Sequence, residues 1–182
     1  MKKFLLIAAI TLAVPMAARA DVGVRLGVDA QLAYHDPGGG GSTHFITDNW
    51  PVGGELMLSW WSPLQIFSID LEIAEQLYLN TPNCPAGISC GSRIGTVFRP
   101  GVRFQPPVLP IYLRAAVPIN FEQPDPYKRE TVDLRLGAGI RIPVIGIFVE
   151  GDVDTPIAGG TNPPSAFSEW SFDLTAGVDW RF

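Results

Sequence analysis

Outside its first twenty residues, this 182-residue chain has no apolar run long enough to cross a membrane as a helix, which excludes a helical membrane protein. Charge is sparse, at 17% beside 47% hydrophobic residues; an ordinary globular protein shares these values, so composition by itself announces nothing. Histidine is scarcer still. His35 and His44 stand alone, in neither a triad nor a metal-ligand spacing, and there are two cysteines. The sequence therefore predicts no catalytic residue, no metal site and no cofactor. The length is that of one domain.

Residues 1–20 account for the exception. Lys2 and Lys3 precede a short apolar region that ends in Ala18-Arg19-Ala20, a small-x-small cleavage site. Residues 1–20 read as a cleaved signal peptide and 21–182 as the mature domain. Neither cysteine lies near the cleavage site, which argues against a lipoprotein. Losing Lys2, Lys3 and Arg19 leaves 10 basic residues against 18 acidic, a mature net charge of −8. Nucleic acid is a poor partner for such a chain.

What the chain does have is alternation. From Ser171 to Phe182, residues Phe172, Leu174, Ala176, Val178, Trp180 and Phe182 share one face of an extended strand, while Ser171, Asp173, Thr175, Gly177, Asp179 and Arg181 share the other. The same period of two divides the mature chain into eight strands, at about 21–35, 50–61, 65–79, 93–104, 109–121, 131–142, 147–154 and 171–182. Long polar loops and short turns such as Ser62-Pro63 and Pro143-Val144-Ile145-Gly146 alternate between them. The predicted fold is all-β, an eight-stranded antiparallel up-and-down barrel.

Such a barrel could be soluble with its apolar face inward, or membrane-spanning with that face outward. Three features favour lipid. The polar face would hold Arg25, Asp29, Glu55, Asp70, Glu72, Arg99, Arg103, Arg114, Asp133, Arg135, Arg141, Glu150, Asp152, Asp173 and Asp179, charges of both signs that suit an ionic network inside a lumen. Aromatics gather at the strand ends: Tyr34, Trp50, Phe121 and Trp170 near the long loops, Trp60, Phe104, Trp180 and Phe182 near the short turns. Between these girdles the apolar face is almost free of charge, as expected where a midplane Arg or Lys costs about 2–4 kcal/mol. Glu75 breaks the rule, near the outer end of its strand.

Eight strands leave a lumen only wide enough for side chains to fill, so Arg99, Arg114 and Arg135 are expected to bridge Glu55, Glu72 and Asp152. Pro51, Pro100 and Pro118 fall within predicted strands, where each removes a ladder donor, and bulges are the expected remedy. Cys84 and Cys90 share one long loop; in an exported protein that pair reads as a disulfide, since a metal site would want His or further Cys beside it.

Thr175, Gly177, Trp180 and the terminal Phe182 resemble the C-terminal insertion signal of bacterial outer-membrane barrels: a polar residue, one residue, glycine, two residues, an aromatic, one residue and a final aromatic. By arrangement the mature chain resembles the small eight-stranded outer-membrane proteins of the OmpA transmembrane-domain and OmpX type. That resemblance implies periplasmic termini, extracellular long loops, a plugged lumen, surrounding outer-membrane lipid and lipopolysaccharide, and handling by the barrel-assembly machinery. It selects no single function, because barrels of this size serve as anchors, adhesion or resistance factors and lipid A-modifying enzymes. The residues favour a non-enzymatic protein with interacting surface loops. A narrow channel comes next, and last a lipid A enzyme, for which only His35 lies at the right height.

Overall fold

Where the side chains alternate, each stretch extends and pairs antiparallel with the stretch that follows. The computed structural model describes residues 21–36, 42–45, 51–78, 93–106, 109–123, 129–159 and 166–182. In them lie β1 (Val22–Asp36), β2 (Ser42–Phe45), β3 (Pro51–Trp61), β4 (Phe67–Tyr78), β5 (Arg93–Phe104), β6 (Ile111–Ala116), β7 (Ile119–Gln123), β8 (Arg129–Arg141), β9 (Ile147–Gly159) and β10 (Trp170–Arg181). β10 returns to β1, from Gly23 opposite Arg181 to His35 opposite Trp170, and closes the sheet. β6 and β7 are halves of one stave, since both lie between β5 and β8. β2 folds back onto the far end of β1. The architecture is therefore the predicted all-β barrel of eight antiparallel staves.

Both ends of the barrel chain meet at the short-turn end, where the Phe182 amide donates to the Val22 carbonyl at 2.8 Å. The turns there are tight. Ser62 N–H donates to the Phe67 carbonyl at 2.7 Å, and Gln65 takes a left-handed φ of 54° where the sequence suggested strand. The Gln65 amide group donates to the Asp21 carboxyl, tying this turn to the start of β1. At the second turn Gly146, with φ of 70°, supplies the backbone conformation that closes Ile142 onto Ile147.

The partition is inverted relative to a soluble barrel. Arg25, Asp70, Glu72, Arg99, Arg135 and Asp152 are buried, while Leu26, Leu56, Ile69, Ile73, Leu136 and Ile140 stand exposed on the outer surface. At the short-turn end Trp60, Phe67, Phe104, Trp180 and Phe182 lie on that outer face, the Phe67 and Phe104 rings 5.1 Å apart.

Several local expectations change. The β1–β10 register slips between Gln31 and Ala33, so Leu32 is an extra residue and the faces of β1 exchange beyond it. Tyr34 consequently pairs with the inward Ser171 instead of joining the outer girdle, and His35 takes the outward place beside Trp170. A second slip, at Ile157, carries β9 past Pro156 to Gly159, five residues beyond the predicted end. No bulge forms at Pro100 or Pro118. Phe98 opposite Ile119 and Gly101 opposite Ala116 keep one register, and the strand is simply interrupted at Val117-Pro118. Pro51 opens β3, where little ladder remains to lose. The first long loop, predicted without structure, contains β2. Glu75 lies on the outer face near the outer end of β4, as expected, with outward Leu77 paired to Ile94 two residues beyond it. Cys84, Cys90 and Trp50 lie outside the described residues.

Candidate functional site in the barrel lumen

A period of two sends alternate residues of all eight staves to the axis, so charges far apart in sequence converge there. At the short-turn end the Arg181 guanidinium lies 3.7 Å over the ring of buried Trp61, and Arg103 lies 4.9 Å from the same ring. Arg181 also donates to the Gln105 side-chain carbonyl. Arg103 donates to Asp70 at 3.1 Å, to Asp179 at 2.9 Å and to the Ser59 hydroxyl at 2.7 Å. Arg141 adds an ion pair with Asp179 at 3.4 Å.

One layer up, Arg25 donates to Glu150 at 2.7 Å and lies 3.3 Å from Glu55. Its guanidinium sits 3.4 Å over the Phe148 ring. Arg114 pairs with Glu72 at 2.6 Å and with Glu150 at 3.2 Å. The pairs Arg25–Glu150, Arg114–Glu72 and Arg114–Glu150 join staves that are not neighbours, so they act as ties across the barrel, whereas Arg25 and Glu55 lie on adjacent staves. The space comes from glycine: a Cβ at Gly137 would meet the Asp152 Oδ1 at 2.0 Å, and one at Gly139 would meet the Tyr112 ring at 2.3 Å.

Towards the long-loop end Arg99 donates to Asp29 at 2.8 Å and to Glu72 at 2.5 Å, with Glu55 3.5 Å away. Arg135 donates to Asp154 at 2.5 Å and to Asp173 at 2.6 Å, and lies 3.6 Å from Asp152. Asp152 is fully buried, yet neither carboxyl oxygen accepts a hydrogen bond among the described residues. Above this layer Asn120 donates to Thr131 at 3.0 Å and to Asp133 at 2.6 Å.

All fifteen charged residues expected on the polar face point into the lumen, Asp133 half-buried at its long-loop end, and the structure brings Arg99, Arg114 and Arg135 within reach of Glu55, Glu72 and Asp152. Asp154, which strand parity places inward with Glu150 and Asp152, joins them through Arg135, and Trp61 and Phe148 also belong to the lumen layers. The last two could have been found from strand parity alone, since each alternates with an outward neighbour.

The residues of the proposed insertion signal divide between the faces. Thr175 is buried inward, and Trp180 and Phe182 are exposed outward. Gly177 sits at the closing seam opposite Gly27, where a Cβ would come 2.0 Å from the Leu26 carbonyl oxygen. The two strands could not approach so closely with any other residue there. His35 stacks on Trp170 at the outer surface, ring centres 5.5 Å apart, away from the lumen charges. No group of His, Cys, Asp and Glu suited to a metal ion occurs among the described residues.

No protein-family model matches the chain, and no curated protein matches it either. Among solved structures, the crystal structure of Neisserial surface protein A superposes with a TM-score of 0.61, over 88% of this chain and 97% of that one, at 10% sequence identity. At that identity the likeness is one of fold, that of the small eight-stranded outer-membrane barrels of the OmpA transmembrane-domain and OmpX type.

Proposed function

We propose that this chain is an exported, integral outer-membrane protein that carries out no chemistry, keeps its lumen shut, and acts through the loops at its long-loop end. The observation that carries the reading is the inverted partition. A surface of exposed Leu, Ile, Val and Phe would be untenable in water, and it is stable when acyl chains cover it. The cross-lumen ion pairs support the closed state, because guanidinium and carboxyl groups occupy successive layers along the axis.

In this reading residues 1–20 are the cleaved export signal, the strand ends at Val22 and Phe182 face the periplasm, and the long loops face outward. Outer-membrane lipid and lipopolysaccharide surround the belt, the assembly machinery engages the segment ending in Trp180 and Phe182, and a Cys84–Cys90 disulfide braces the loop that would meet a surface ligand. The test is conductance. The purified protein in planar bilayers is expected to pass little steady current, and Arg114→Ala to leak or to unfold more readily. Stable, ion-selective wild-type currents of large single-channel conductance would replace this reading with that of a channel.

A further inference from the structure

The outward surface carries one anomaly. Among the described residues, Glu75 is the one acidic or basic side chain of that surface with apolar outward neighbours on both sides along its strand, Ile73 and Leu77. It stands eight positions beyond Phe67 of the short-turn girdle. At the usual rise and tilt that places it about 20 Å up a belt about 25 Å tall, within the acyl region and not above it. Its partner is Thr96, whose hydroxyl donates to the Glu75 Oε1 at 2.9 Å. The other carboxyl oxygen has no hydrogen bond among the described residues. On the opposite side Gly54 pairs with Glu75, and a Cβ there would find nothing within 4 Å. Gly54, Glu75 and Thr96 thus make a polar notch open to the outside, rimmed by Leu56, Leu77, Ile94 and Phe121.

A carboxyl group inside a hydrocarbon belt is costly unless donors reach it, and such groups mark function more often than packing. Acyl tails bring no donor. A second copy of this chain brings no cation to this depth, since no Lys or Arg whose side chain is described faces outward. A glycolipid with amide-linked, hydroxylated acyl chains carries N–H and O–H donors just below its sugars, at the depth of the notch. We propose that Gly54, Glu75 and Thr96 seat those amide and hydroxyl donors of an outer-leaflet glycolipid. The inference rests on the reading that the long-loop end faces outward.

The experiment uses the full mature protein in detergent, titrated with lipid A carrying amide-linked 3-hydroxyacyl chains and followed by native mass spectrometry. Wild type is expected to retain one lipid A, Glu75→Leu and Gly54→Leu to bind it about tenfold more weakly or worse, and Glu75→Gln to keep most of the affinity through its amide oxygen. Glu75→Leu removes a polar group from the belt and Gly54→Leu enters open space, so both should insert as well as wild type. Equal lipid A binding by Glu75→Leu and wild type would overturn the proposal. So would equal retention of phosphatidylethanolamine, or a wild-type dimer that Glu75→Leu abolishes, which would assign the notch to a second copy. A flotation control with phosphatidylcholine vesicles separates the two readings: wild type that does not float overturns the membrane reading itself.

Discussion

The two ends of the lumen solve the same electrostatic problem in different ways. At the short-turn end Arg103, Arg141 and Arg181 outnumber their carboxyl partners, Asp70 and Asp179, and the surplus charge is met by the face of Trp61. At the long-loop end the imbalance is reversed: Arg99 and Arg135 serve Asp29, Asp152, Asp154 and Asp173. A surplus guanidinium can rest on a ring because the ring quadrupole attracts cations. A surplus carboxyl group has no such recourse, and Asp152 is left with two oxygens that accept no hydrogen bond among the described residues. The aromatic end therefore absorbs its surplus charge on a ring, and the acidic end depends on very few cations.

Removing Arg135 should have the largest effect. Arg135→Ala strands Asp154 and Asp173 without their shared donor, and losing one partner of a buried ionic group costs about 3–5 kcal/mol. Urea unfolding in vesicles should show it as a fall in midpoint. Trp61→Leu should cost about 2 kcal/mol by the same measurement, through the lost cation–π faces and part of the packing volume. If it costs as much as Arg135→Ala, the proposed difference between the ends disappears. Asp152→Asn should change stability by less than about 1 kcal/mol, and in the stabilising direction, because it removes one negative charge from the three carboxyl groups that share Arg135. A large loss on that substitution would show that Asp152 is better satisfied than its neighbours suggest.

Strand parity made the side of the sheet legible for residue after residue, because a closed barrel with lipid outside leaves little freedom once one strand is assigned. Partner choice was much less legible. Which carboxyl group Arg103 or Arg25 reaches depends on the stagger of the staves around the axis, and stagger leaves no mark in a single strand. The exchange of faces at Leu32 was invisible for a related reason: a leucine in a bulge looks like a leucine in a strand, so Tyr34 was assigned to the wrong side. The prolines were visible, but their remedy was not, since it lay in the neighbouring staves.

Those prolines have a consequence for how the barrel breathes. The Val117 amide donates to the Pro100 carbonyl at 2.9 Å and the Asp133 amide to the Pro118 carbonyl at 2.8 Å, but neither proline has an N–H to return. Two rungs are missing half-way along one stave, one on each of its sides. Neighbouring amides such as Ile119 and Ala116 consequently sit beside a gap in the ladder, while those along the β1–β10 seam form an unbroken run from Gly23 to Gln31. In deuterated buffer the clock of amide exchange should start at the proline stave, and the seam where the chain ends meet should be among the last to run.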